Sequence, residues 1–151
     1  MSDKRDLLLH FLATLEYRFV KAIRGAPSGF GDFQAGEGTR SPSELVIHMT
    51  SLMSYTLVAL GGPAAERLEP GADFAAEVTR FEEVLRQLAI TLSQSTLAQG
   101  GLPEQLLQGP FSDAMTHAGQ LALLRRLAGS AIPAENFFIA PIEATNLLRG
   151  G

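Results

Sequence analysis

Three residues combine the chemistry and the spacing needed to hold a cation: His48, Asp113 and His117, in a chain with only three histidines among 151 residues. Asp113 and His117 are four apart, a spacing that stacks two side chains one turn apart on one face of a helix. His48 follows Leu45 by three and precedes Leu52 and Thr56 by four and eight, so it points along an apolar stripe. His117 shares its row with Leu121, Leu124 and Ala128 and is expected to face inward too. An inward carboxylate is stripped of water and costly unless a positive charge compensates it. A divalent cation does so, and two imidazoles with one carboxylate leave positions free for water or a substrate. One helix giving two ligands and its neighbour the third is how helix bundles assemble metal sites.

Each candidate also has a plainer role. Asp113 at a helix start is favoured by the positive end of the helix dipole, and His48 taken alone suits a hydrogen-bonded core histidine. Glu44 stands four residues before His48, yet its place at a helix mouth makes it a cap before a ligand. His10 reads as a rim residue. Gly119, one turn from the candidate site, costs about 1 kcal/mol against alanine in a helix interior; it gives room for a substrate or for close helix packing. Arg125 and Arg126 are adjacent and point different ways, and they read as solvated or dimer-rim charges.

Four helices must position these residues. The first is predicted over Asp3 to Ile23, with Leu8, Leu12, Leu15, Phe19 and Ala22 on one stripe and Gly25 and Pro27 as stops. A connection from Gly25 to Arg40 follows, holding Gly29, Gly31, Gly36 and Gly38. It is too long for a tight turn and is expected to wrap an end of the bundle or lie over a site. Ser41-Pro42-Ser43-Glu44 is a capping box with proline at the first helical position, and it opens a second helix that Gly61-Gly62-Pro63 closes. The third, from about Asp73 to Leu97, places Phe74, Val78, Phe81, Leu85, Leu88 and Leu92 at alternating steps of four and three. Glu77, Arg80, Glu82, Glu83 and Arg86 are assigned to its solvated face. After a short helical turn around Glu104–Gln108 and a boundary at Gly109-Pro110, the fourth helix runs from about Ser112 to Leu127 and ends at Gly129. A tail from Ala134 to Gly151 is expected to pack through Phe137, Phe138 and Ile139. The expected fold is all-α, a single domain over residues 1–151. It comprises four antiparallel helices, one long glycine-rich crossover between the first and second, and an irregular C-terminal tail.

Composition narrows the function. A net charge of −4 with scattered basic residues argues against nucleic acid as a partner. The absence of cysteine removes disulfides, thiolate nucleophiles and Cys-based metal sites. The glycines at 29, 31, 36 and 38 lack the strand and spacing of a phosphate-binding loop. Lys4 and Arg5 precede Leu7–Leu9, but His10, Glu16, Arg18 and Lys21 interrupt that run at helical spacing, unlike a signal peptide. With no apolar stretch long enough to span a bilayer, no membrane role is expected and the default address is the cytoplasm.

Ser41-Pro42-Ser43-Glu44-Leu45-Val46-Ile47-His48-Met49 and Gly109-Pro110-Phe111-Ser112-Asp113-Ala114-Met115-Thr116-His117-Ala118-Gly119-Gln120-Leu121, in that order, resemble the DinB/YfiT-like metalloenzyme superfamily. Leu124-Arg125-Arg126-Leu127-Ala128-Gly129 and Glu135-Asn136-Phe137 extend the likeness over most of the chain. The resemblance implies a four-helix bundle, often a homodimer, with a metal held by a histidine of the second helix and a His-x-x-x-His pair of the fourth. Carried over, His48 matches the first ligand and His117 the last, while Asp113 stands where the pattern more often has its middle histidine. A carboxylate there makes a harder site, open to iron or manganese as well as zinc and nickel. The implied activity is a metal-dependent transfer or isomerisation of a small-molecule substrate with a low-molecular-weight thiol; a metal-bound water would equally suit hydrolysis. The alternative is a non-enzymatic dimeric bundle with a vestigial or structural metal site.

Overall fold

The computed structural model describes residues 3–69 and 71–150, and every regular element among them is helical. Helix α1 spans Asp3–Ile23, and its predicted stripe of Leu8, Leu12, Leu15, Phe19 and Ala22 is buried throughout. Helix α2, Pro42–Ala59, opens on the capping box. Ser41 Oγ accepts from the Glu44 N–H at 3.2 Å, and Glu44 Oε2 accepts from the Ser41 N–H at 2.7 Å. Helix α3, Phe74–Gln94, is capped by Asp73, which accepts from the Ala76 N–H at 2.9 Å. It ends before Leu97, which turns to a φ of +51° yet still buries its side chain. The apolar pattern there outlasts the helix.

Gly109-Pro110 does not divide the chain as the sequence suggests. Helix α4, Leu102–Leu106, passes through a π-helical stretch, Leu107–Phe111, directly into helix α5, Ser112–Leu127. Proline has no N–H to give and its ring crowds the carbonyl four residues back, so an α-turn is lost. The wider π turn absorbs the fault. The Ser112 N–H reaches back to Leu107 O, and Ser112 Oγ donates to the same carbonyl at 2.5 Å.

Pairwise contacts fix the helix directions. Helices α1 and α3 run antiparallel, since Arg5 reaches the Ser95 carbonyl at one end and the rings of Phe19 and Phe81 meet at 4.3 Å towards the other. Helices α1 and α5 run parallel: Phe11 stacks on Phe111, and Arg125 contacts the last turn of α1. Helices α2 and α3 are parallel as well. They begin together at Gly31, where a methyl group would lie 2.7 Å from both Phe74 Cβ and Ser43 Oγ. The four long helices therefore pack in the order α1, α3, α2, α5 around one apolar core, with α5 closing back on α1. The connection between α2 and α3, described over 60–69 and 71–73, is the one that must return along the length of the fold. The glycine-rich connection stays at one end of the helices, one of the two placements expected of it, where Phe30 packs on Phe74. The expected crossover between the first two helices is thus displaced to the next connection, because α2 and α3 share a direction.

Two further expectations change. Arg125 is not a solvated charge: it is 5% exposed, and its guanidinium donates to the carbonyls of Ala22 (2.8 Å), Arg24 (3.0 Å) and Ser130 (3.0 Å). A fixed positive charge among carbonyls left over at the ends of α1 and α5 satisfies both the lone pairs and the helix dipoles. In the tail, Phe138 is 96% exposed and Ile139 also faces solvent. Only Phe137 packs, under the Arg18 guanidinium at 3.8 Å and edge-on to Tyr17. The tail is pinned instead by Glu135, which accepts from Tyr17 (2.5 Å) and Lys21 (3.0 Å), and by buried Leu147 on the short helix α6, Ala144–Arg149. Gly151, where the tail ends, lies outside the described residues.

Glu82 also departs from the solvated face of α3. It is partly buried, and burial raises its carboxyl above the ordinary range. Glu16, across from it on α1, is raised first by burial and then by the charge of Glu82.

Two predictions follow from these buried charges. Arg125→Met strips donors from several carbonyls and should cost about 2–3 kcal/mol, read as a lower urea midpoint with an unchanged slope. For Glu16, the folded chain holds the proton more tightly than the unfolded one does. That contribution is complete at acid pH and is lost as pH rises through the raised folded-state value. Glu16→Gln should therefore raise the melting temperature at neutral pH and flatten the decline in stability from acid to neutral; an unaltered pH profile would rule this out.

Candidate metal centre

Helix α2 packs most extensively on α3, and its buried row runs through Leu45, Val46, Met49, Met53 and Leu57. His48 lies on the margin of that row, on the side facing α5, rather than within it; its side chain is 34% exposed. Helix α5 runs antiparallel to α2 here, so Leu52 and Tyr55, further along α2, line a groove with Pro110 and Ser112, earlier in the chain. The sequence offset between Asp113 and His117 is one turn, and both face the His48 margin. His117 is buried among the α5 core residues at 11% side-chain exposure, while Asp113, at the wide π turn, keeps 46%.

The three predicted residues come together. Asp113 straddles the two imidazoles, with Oδ1 3.2 Å from His117 Nε2 and Oδ2 3.7 Å from His48 Nε2. The rings lie 4.8 Å apart, nearly perpendicular at 84°. One ligand atom from each residue can be chosen so that all lie within 4.8 Å of one another. Ligands on a tetrahedral ion with bonds of about 2.0–2.1 Å are separated by roughly 3.4 Å. The donor set therefore fits a single divalent cation after a small closing movement, and its nitrogen and oxygen chemistry suits zinc, nickel, iron or manganese. Of the three donors, Asp113 also lines an open groove of about 610 Å³, formed with Leu52, Tyr55, Pro110 and Thr116.

Glu44 does not join them. Its carboxylate is committed to the Ser41 N–H, as a capping residue should be. His10 is exposed on α1. Gly119 faces solvent, and a methyl group on it would meet nothing within 4 Å, so it makes no close helix contact. Sequence reasoning passed over Gln120, whose Oε1 lies 2.7 Å from His117 Nδ1. The signal was available, because residues three apart on a helix are neighbours.

No family model, curated protein or solved structure matches this chain. The centre therefore stands on its own geometry. Among the described residues, no helix is long and apolar enough to cross a membrane.

Gly119→Ala isolates what the glycine does. In open space on a helix the methyl group should stabilise the fold by about 0.5–1 kcal/mol through helix propensity, with metal affinity unchanged. Denaturant unfolding checks the first and metal titration the second. A loss of either would mean that a ligand or a second chain presses on this face.

Proposed function

We propose that the chain is a divalent-metal-binding four-helix bundle of the DinB/YfiT-like kind, with His48, Asp113 and His117 as its ligands. The observation that carries this reading is the convergence of three donors from two antiparallel helices, one of which, Asp113, also lines an open groove. The directions of the long helices support the bundle architecture: α1 and α5 run one way, α2 and α3 the other. A divalent ion held there lowers the pKa of a coordinated water or thiol and so supplies a nucleophile near neutral pH.

The protein's own part in that chemistry is to orient and admit. His117 is fixed in the core and Asp113 turns both oxygens towards the imidazoles, while the groove past Leu52, Tyr55 and Pro110 admits a small molecule. The openness of this groove favours a metal-dependent enzyme, a thiol-using transferase or isomerase or a hydrolase, over a closed structural ion. A homodimer is the proposed assembly, as the resemblance implies.

Elemental analysis of purified protein should find close to one divalent ion per chain. His48→Ala and His117→Ala should each lose most of it, and chelation should lower the melting temperature without unfolding the chain. Unchanged metal content in both variants would falsify the assignment. Collapse of the fold on chelation would instead support the alternative, a structural ion in a non-enzymatic bundle.

A further inference from the structure

We propose that Gln120 is the positioning residue that fixes the tautomer of His117 and so presents a bare Nε2 to the cation. The tautomer rests on hydrogen-bond geometry alone; its consequence for a cation rests on the metal reading above.

Gln120 lies three residues after His117 on α5, and among the described residues its side chain makes no other hydrogen bond. An amide oxygen only accepts. With Oε1 at 2.7 Å, the hydrogen of the neutral imidazole sits on Nδ1, and Nε2 is left as a lone pair. That lone pair faces a carboxylate oxygen 3.2 Å away. Two electron-rich atoms held face to face call for a proton or a metal cation between them. Locking the ring from its far side keeps Nε2 aimed at that point, as outer hydrogen bonds do for ligating histidines. His48 makes no comparable side-chain bond among the described residues and stands at the rim, so His117 is the ligand whose direction is set before a cation arrives.

The test uses the full chain, with Gln120→Leu, which removes the acceptor, and Gln120→Glu, which keeps an acceptor and has no donor. Long-range proton–nitrogen NMR of the metal-free proteins, at about pH 8.5 and well above the ordinary histidine range, reads the His117 tautomer. The wild type and Gln120→Glu should carry the hydrogen on Nδ1, and Gln120→Leu should revert to the Nε2–H form that free imidazole prefers. In zinc competition, Gln120→Leu should bind roughly 10- to 100-fold more weakly, and Gln120→Glu should equal or exceed the wild type. Thermal unfolding of the three metal-free chains should coincide, separating positioning from folding.

The proposal is overturned if Gln120→Leu keeps both the Nδ1–H form and wild-type zinc affinity. It is equally overturned if the wild type itself is Nε2–H, which would mean the amide is turned and donates. A wild-type chain with the Nδ1–H form that takes up no zinc would overturn the metal reading while leaving the role of Gln120 in orienting His117 intact.

Discussion

The candidate centre depends on α2 and α5 running in opposite directions along a shared edge, with His48 and His117 at the same height. That opposition is not local to the site. It is inherited from the far side of the fold, where α1 and α5 are held parallel and α2 begins beside α3 at Gly31. The Arg125 guanidinium is what ties the ends of α1 and α5. Its bonds to the carbonyls of residues 22 and 24 fix the axial position of α5 against α1. A slip of one helical turn there, about 5.4 Å, would carry His117 past His48 and break the donor set. The clamp and the centre lie at different heights on one rigid rod, and the rod transmits the register.

Much of this could be read from residue spacing because helices encode their faces locally. The stripe of Leu8, Leu12, Leu15, Phe19 and Ala22 is buried as its period requires, and the capping box at Ser41 and Glu44 forms as written. The same logic placed Asp113 and His117 on one face. Finding His48 opposite them needed a further step, since spacing gives the face of each helix and not its neighbour. An inward-pointing histidine in a chain that has only three narrowed the choice enough.

What spacing missed was tertiary in origin. Pro110 reads as a break, and in isolation it would be one; a π turn in which the N–H and the hydroxyl of Ser112 both reach the Leu107 carbonyl lets the helix continue. Adjacent arginines look alike in a sequence, yet Arg125 points into a nest of chain-end carbonyls while Arg126 remains outside. Apolar content alone suggested that Phe138 and Ile139 would be buried. The tail is short and held by Glu135 and Leu147, which turn those two side chains to solvent. The crossover was assigned to the connection richest in glycine. Helix direction, which no residue in that connection encodes, decides instead that the connection between α2 and α3 makes the return.

The exposure of the three donors bears on how such a centre would work. His117 is nearly enclosed, whereas His48 and Asp113 keep a third to a half of their side-chain surface. The large apolar residues, from Phe19 and Phe81 to Leu121, form one buried cluster with His117 beside it. A core of that size sets the fold apart from small domains that fold only on their metal. The carboxylate meanwhile stands on the groove side, next to the π turn, where an incoming molecule would first meet it. One donor is enclosed and two lie at a partly exposed rim. With a cation held there as proposed, that arrangement would leave coordination free to change, which a sealed structural site does not permit.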